Sequence, residues 1–479
     1  MHQSHLKILM RGIALLAVIS CLAIAQENSK APEQLLAGSW QGTLIVPGGS
    51  LRVVFNFKPK AEGGYTATLD SPDQGAFGIA ADSVTVQDTL IRASIRSIGG
   101  ELNGVRLAGT DSISGTWSQG GMQLPLVLKH SSKEVEKPKR PQEPKKPYPY
   151  KDEEVTFTNP EAGITLAGTL TLPESDGPFP AAILITGSGP EDRDETVFGH
   201  RPFLVLADYL TRQGIAVLRY DDRGVGKSTG NFGTATSTDF ASDAKSAVAY
   251  LKTRKEVRTE KIGLIGHSEG GIIAPMVATE SKDVAFIVMM AGTGVPGDQV
   301  ILEQAALIAK AMGTGEKEVK EARAINRKAF DIVESEKDSA TVASELRTLL
   351  LSAADTSEQK DKQATEARIN AQIKQVTSPW FRYFMTYDPR PALRKVRCPV
   401  LAIDGEKDLQ VSPKQNLPKI EAALREGGNK DFTIRELPGL NHLFQTATKG
   451  TPDEYAKIEE TISPTALKLI GDWILERCR

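Results

Sequence analysis

Residues Gly266-His267-Ser268-Glu269-Gly270 set a serine between two glycines in a G-x-S-x-G pattern. Five residues of this kind recur by chance, so the flanking pattern decides what they mean. Residues 262–266 read as a short apolar strand and 272–278 as a helix. At such a strand-turn-helix corner the glycines are a steric requirement. The serine takes unfavourable backbone angles, and only residues without side chains let the neighbouring backbone pass so close. The turn lifts the Ser268 hydroxyl above the sheet edge, beside a helix N-terminus that favours developing negative charge. The chemistry this suits is nucleophilic attack.

A serine hydroxyl is a weak nucleophile at neutral pH and needs a base, itself oriented by a third group. The chain has six histidines. His2 and His5 lie in the leader, His130 ends a β-rich module, His200 precedes the first helix, and His267 adjoins the serine but points away from its hydroxyl. His442, in Gly439-Leu440-Asn441-His442-Leu443-Phe444 directly after the last predicted strand, is the expected base. Asp404, Glu406 and Asp408 lie at or after the strand predicted at 398–404. Asp404 still belongs to the strand end, so Asp408 is preferred as the orienting acid and Glu406 is second. The oxyanion donors are expected from the backbone N–H of Glu269 and, in Thr186-Gly187-Ser188-Gly189-Pro190, from that of Ser188.

Two other chemistries fit less well. Gly224-Val225-Gly226-Lys227-Ser228 resembles the end of a phosphate-binding loop, but Asp221 stands where that loop needs glycine, and the residues beyond Ser228 read as loop rather than helix. Nucleotide binding is therefore not expected. No group of His, Cys or acidic residues has zinc-like spacing, and neither a metal nor another cofactor is expected.

The elements that must position these residues follow from patterning. The chain has 479 residues, enough for two units, and 58 Lys plus Arg against 60 Asp plus Glu leave a formal charge of -2. No field of that size favours nucleic acid or an anionic membrane. Lys7 and Arg11 precede an apolar run at 12–25 ending in Ala23-Ile24-Ala25. This reads as a signal peptide at 1–25, with a mature chain near Gln26 that is periplasmic or extracellular. The run is shorter than the roughly 20 residues a membrane span needs, and lipidation at Cys21 is the less favoured alternative because Leu22, Ala23 and Ile24 continue the apolar run. Cys398 and Cys478 then remain, and spacing does not tell whether they pair.

Residues 34–131 alternate with period two and form an all-β domain. Its GSWQG and GTWSQGG segments echo each other and suit first and last strands lying side by side in a barrel or curled sheet. Residues 132–151 carry five prolines from Pro138 to Pro149 among Lys, Arg and Glu, and read as an extended spacer. From 152 to 479 short apolar strands alternate with helices, which implies an α/β fold with a doubly wound, mainly parallel sheet. A polar helical stretch at about 293–388 reads as an inserted lid. Its aromatic end offers Trp380, Phe381 and Phe384 as an acyl pocket or as an anchor of the lid.

The segments ITGSGPEDRDE, RYDDRGVGKSTG, GHSEGG, SPWFRYFMTYDPRPAL, CPVLAIDGEKD and GLNHLF together resemble the α/β-hydrolase superfamily, in its branch of secreted bacterial serine esterases and serine-aminopeptidase-like enzymes. The resemblance covers most of residues 155–479. It implies a Ser268, His442 and Asp408 triad, an oxyanion loop at 187–189, and an N-terminal β extension of the kind some of these enzymes carry. The expected activity is hydrolysis of small acyl esters through an acyl-enzyme. A peptidase acting on short peptides, and a ligand-binding protein that uses the β domain while the triad stands idle, are the alternatives.

Overall fold

Period-two alternation builds the first sheet. A computed structural model describes residues 36–46, 49–119, 122–132, 138–335, 337–353 and 362–479; the leader and Cys21 lie outside them. The strands are β1 (Gly38–Val46), β2 (Gly49–Pro59), β3 (Tyr65–Ser71), β4 (Ala76–Ala80), β5 (Ser83–Gln87), β6 (Leu90–Ile95), β7 (Gly100–Arg106), β8 (Ser112–Gln119) and β9 (Met122–Ser131). They form one antiparallel sheet of order β4-β3-β2-β1-β9-β8-β7-β6-β5. Trp40, Phe55, Phe57, Leu102, Ile113 and Leu124 are buried on its inner side. First and last strands do pair, Trp40 opposite His130. The echoing tryptophans nevertheless sit apart, because Trp117 lies on β8 and pairs with β9 rather than β1.

Unbroken apolar strands build the second sheet. These are β10 (Lys151–Asn159), β11 (Ile164–Leu172), β12 (Phe179–Ile185), β13 (Ala216–Tyr220), β14 (Val257–His267), β15 (Phe286–Met290), β16 (Val400–Gly405) and β17 (Phe432–Leu437). The order is β10-β11-β13-β12-β14-β15-β16-β17, antiparallel from β10 through β11 to β13 and parallel from β13 to β17. Helices α1 (Pro202–Arg212), α2 (Ser237–Leu251) and α3 (Gly270–Glu280) follow β12, β13 and β14 in the chain. The two faces bury separate clusters, one with Ala244, Val248 and Ile273, the other with Leu206, Leu210 and Ile470. Burial on both faces is why these strands lack polar alternation. The chain leaves β12 for β13 on one side and later returns to β14 on the other, so the loops after β12 and β14 flank the switch point where such sheets bind ligands.

Helix ends obey local chemistry. Pro202 at the first turn starts α1 where its fixed φ suits a helix. The sequence suggests a second helix from Asp239, but α2 begins at Ser237 because Thr236 and Asp239 form a capping box. After β15 come α4 (Gly297–Ala311), α5 (Glu316–Glu334), α6 (Ser339–Ala353), α7 (Lys362–Val376), α8 (Pro379–Thr386) and α9 (Arg390–Leu393). Helices α10 (Pro413–Glu426), α11 (Pro452–Tyr455) and α12 (Pro464–Cys478) complete the chain. Cys398 and Cys478 are both free. No helix among the described residues is long and apolar enough to cross a membrane.

The chain gathers into two compact units, one running to Pro138 and including Lys337–Gln375, the other comprising Lys139–Glu336 and Val376–Arg479. Helices α4, α5 and α8 belong to the second unit. Most of α6 and α7 belongs to the first, and Leu346, Leu350 and Ile369 on them are buried.

The proline-rich linker is fastened at Arg140 and Gln142. The Arg140 guanidinium donates to the carbonyls of Phe198 (3.1 Å), Gly199 (3.0 Å), Ala456 (2.9 Å) and Ile458 (2.7 Å). Gln142 Nε2 donates to the Ile462 carbonyl at 2.6 Å, and its Oε1 accepts from the Thr461 and Ile462 N–H groups. Hydrogen bonds involving a charged group contribute about 1.5–3 kcal/mol each, and they do not add. Arg140→Ala is therefore expected to lower the unfolding free energy by about 2 kcal/mol, read as a lower midpoint in urea titration at unchanged slope.

Candidate active site

The turn after β14 is built around close approaches. Ser268 has φ +53°, a left-handed conformation that disfavours a residue with a side chain by about 1–2 kcal/mol. A Cβ on Gly266 would lie 1.9 Å from the Gly270 carbonyl oxygen, and one on Gly270 would lie 2.2 Å from that of Ile185. Both glycines are thus required by backbone on the far side. The Ser268 N–H donates to the Met290 carbonyl at 2.8 Å and the Gly271 N–H to the Ser268 carbonyl at 2.9 Å, so the turn is held from both sides while the side chain stays half-buried.

Asp408 sits in the turn after β16 and His442 in the loop after β17, at the same sheet edge as Ser268. His442 Nδ1 donates to Asp408 Oδ2 at 2.6 Å, and Asp408 Oδ1 accepts from the N–H groups of Gln410 (2.7 Å) and Val411 (2.8 Å). Burial alone would raise the Asp408 carboxyl. The facing His442 and the hydrogen bonds outweigh it and hold the group below the ordinary carboxylate value. Asp404 behaves oppositely: complete burial and the adjacent Asp408 charge push it well up. Its Oδ1 accepts from the Gly405 N–H at 2.8 Å, while Oδ2 receives no hydrogen bond among the described residues. The two carboxyls are thus pushed in opposite directions, Asp404 up and Asp408 down. Glu406 is used elsewhere, accepting from the Gly439 N–H. Asn441, fully buried, accepts from the Leu443 and Gln445 N–H groups and so shapes the loop that carries His442. An asparagine just before the histidine is an Asx-turn signal carried by the sequence itself.

The loop after β12 abuts the elbow: a Cβ on Gly187 would lie 3.4 Å from Ser268 Cβ. The Gly187 N–H is taken by Glu195 Oε1 at 2.9 Å. Neither the Ser188 nor the Glu269 N–H has an acceptor among the described residues, so both remain available to a ligand. Thr186 Oγ1 and the Glu191 N–H donate to Asp222 and pin the loop to the β13 end. Burial raises Asp222 to about 8.

Glu269 adds a contact that sequence spacing does not reveal. Its carboxyl is buried and accepts from Trp380 Nε1 at 2.8 and 2.9 Å and from Ser237 Oγ at 2.5 Å. Burial raises it, and the donors from Ser237, Trp380 and Ser188 oppose that rise. The Trp380 ring stacks on Phe384 with centroids 5.4 Å apart, and Phe381 meets Phe330 edge-on at 6.4 Å. Phe381 and Phe384 are buried, so these aromatics fasten α8 beside the elbow. Trp380→Phe leaves a buried carboxyl short of a donor and is expected to lower stability by about 1–3 kcal/mol, measured by thermal melting with calorimetry.

An eight-stranded, mainly parallel sheet covered on both faces, with a glycine-flanked serine elbow after one strand and a carboxylate-bound histidine after the last, defines the α/β-hydrolase class. Residues 201–446 match the family model described as serine aminopeptidase, S33, and the chain belongs to that family. Esterase EstD of Thermotoga maritima is 27% identical over 313 residues, which span 65% of this chain and 66% of that protein, a little under two thirds of the relative's length. Among solved structures, an esterase of Pyrococcus furiosus is similar at 16% identity and TM-score 0.41, covering 73% of this chain and 100% of that one. A dienelactone hydrolase of Anabaena variabilis is similar at 15% identity and TM-score 0.39, covering 69% of this chain and 100% of that one.

Proposed function

We propose that the protein is a serine esterase that cleaves small carboxylic esters through Ser268, His442 and Asp408. The observation that carries this reading is the strained Ser268 elbow at the same sheet edge as a buried His442–Asp408 pair. Because Nδ1–H of His442 is given to a carboxylate, the lone pair of Nε2 is left to act as base. No hydrogen bond joins Ser268 Oγ to His442 among the described residues; in such sites that contact tightens when substrate is bound. His442 removes the serine proton, Oγ attacks the carbonyl, and the N–H groups of Glu269 and Ser188 receive the oxyanion. The alcohol leaves with the proton from His442. Water, activated by the same imidazole, then releases the acid.

The similarity to EstD supports an ester substrate. A peptidase reading would need a free carboxylate near the nucleophile for a substrate amine, and Glu269 is already held by Trp380 and Ser237. The test sets p-nitrophenyl acetate and butyrate beside aminoacyl p-nitroanilides, with a fluorophosphonate probe mapped by mass spectrometry. Ester turnover with the probe on Ser268 is expected. Faster arylamide turnover moves the reading to a peptidase, and neither turnover nor labelling overturns it in favour of the binding-protein alternative. Export through the leader at 1–25 belongs to the same proposal, and sequencing the mature N-terminus tests it.

A further inference from the structure

His267, the residue between elbow glycine and serine, takes no part in the chemistry above, yet it is buried and bonded at both ring nitrogens. Nδ1 meets Glu195 Oε1 at 2.9 Å and Nε2 meets the backbone carbonyl of His442 at 3.0 Å. A carboxylate oxygen and a carbonyl oxygen are both acceptors, so both ring nitrogens must donate. A neutral imidazole has one N–H and satisfies only one of them. Glu195 Oε1 also accepts the Gly187 N–H at 2.9 Å. One chain of hydrogen bonds therefore runs from the loop that offers the oxyanion donor, through Glu195 and the His267 ring, to the backbone of the residue expected to act as base.

We infer that His267 is a positioning residue protonated at neutral pH, an imidazolium strut that holds the His442 loop and the Gly187 turn in register around Ser268. This deepens the esterase reading and rests on it for its catalytic consequence, while the charge on the ring stands on geometry alone. Four titratable groups face the ring: Glu195 and Glu191 on the loop after β12, and His442 and Asp408 beyond β16 and β17. Burial would lower the imidazolium. The Glu195 charge and hydrogen bond, the His442 carbonyl and the Asp408 charge overcome it and hold the group up at about 9. The sign follows: an unfolded histidine titrates near about 6.5, so the strut's stabilisation is complete below that pH and disappears as pH rises through about 9. Glu191 and Asp222, each raised to about 8 by burial, lose protons in the same range, so a rate profile alone does not isolate His267. The ring nitrogens must be read directly.

The experiment uses the full chain labelled with nitrogen-15 histidine, followed by NMR from pH 6 to 10 in wild type, His267→Gln and Glu195→Gln. One imidazole, absent from His267→Gln, is expected to show both nitrogens protonated at pH 7.5. In Glu195→Gln its midpoint is expected to fall towards the ordinary histidine value. An unprotonated nitrogen on that ring at pH 7.5 overturns the inference, whatever the enzyme's activity. In kinetics on the ester, His267→Gln and Glu195→Gln are each expected to lower kcat about 10- to 100-fold with KM nearly unchanged, as for a misplaced catalytic group. Full kcat in both variants overturns the positioning role. Failure of the esterase reading looks different: wild type itself then neither turns over nor takes the fluorophosphonate, while the ring-nitrogen measurement still decides the strut. Should His267→Gln fail to fold, Glu195→Gln and the wild-type titration carry both tests.

Discussion

Ser268→Ala is expected to reduce kcat on p-nitrophenyl esters by on the order of 10^4- to 10^6-fold, equivalent to about 5–8 kcal/mol of transition-state stabilisation. The protein should remain folded. The alanine loses a single oxygen from a half-buried side chain, and its Cβ occupies the space the serine Cβ already has. The backbone strain at φ +53° stays, because alanine is no freer than serine in the left-handed region. The ester's binding surface stays too, so KM should change little and the loss should fall on kcat. Steady-state kinetics beside a circular-dichroism melt separates the two effects. A variant that melts with wild type and still turns over ester at a wild-type rate would remove Ser268 from the mechanism.

Asp408→Asn is expected to lower kcat by about 10^4-fold, and the surrounding donors explain why so small a change acts so strongly. Two backbone N–H groups, from Gln410 and Val411, point at one oxygen of this side chain, and His442 points at the other. An asparagine has one acceptor end and one donor end. Its oxygen must face the two N–H groups, since turning the amide round would set donor against donor twice. The NH2 group is then left against Nδ1 of His442. The imidazole answers by moving its proton to Nε2, where it blocks uptake of the serine proton. Ester hydrolysis should fall with little change in the melting temperature, and raising the pH should not restore it, because the fault is a tautomer rather than a charge. The pH profile of kcat from 6 to 10 checks this.

Legibility from sequence tracked how local the physics is. The elbow could be read from its strand-turn-helix context because Gly266 answers to backbone only four residues on, at Gly270, although the backbone that requires Gly270 is the distant Ile185. The start of α1 could be read from Pro202, and the α/β alternation from strands such as Ala182, Ile183 and Leu184, buried from both faces. The loops carrying Asp408 and His442 could be placed because each follows a strand of one parallel sheet, and parallel strands bring their C-terminal ends to a common edge.

Arg140 reads as one charge in a charged, proline-rich spacer, and only folding collects four carbonyls from two distant loops around it. Glu269 reads as a free carboxylate beside the nucleophile, until α8 brings the Trp380 indole against it from more than a hundred residues away. The upward push on the Asp404 carboxyl and the charge on His267 are likewise invisible in the chain. Hydrogen-bonding capacity is a property of a residue type, but which groups lose water together, and hence which proton stays, depends on neighbours that only the packed sheet supplies. Covalent order thus determined the sheet, the elbow and the edge where the chemistry gathers. Tertiary burial decided the charge states and the clamps that hold that edge in place, because desolvation has no meaning until distant segments meet.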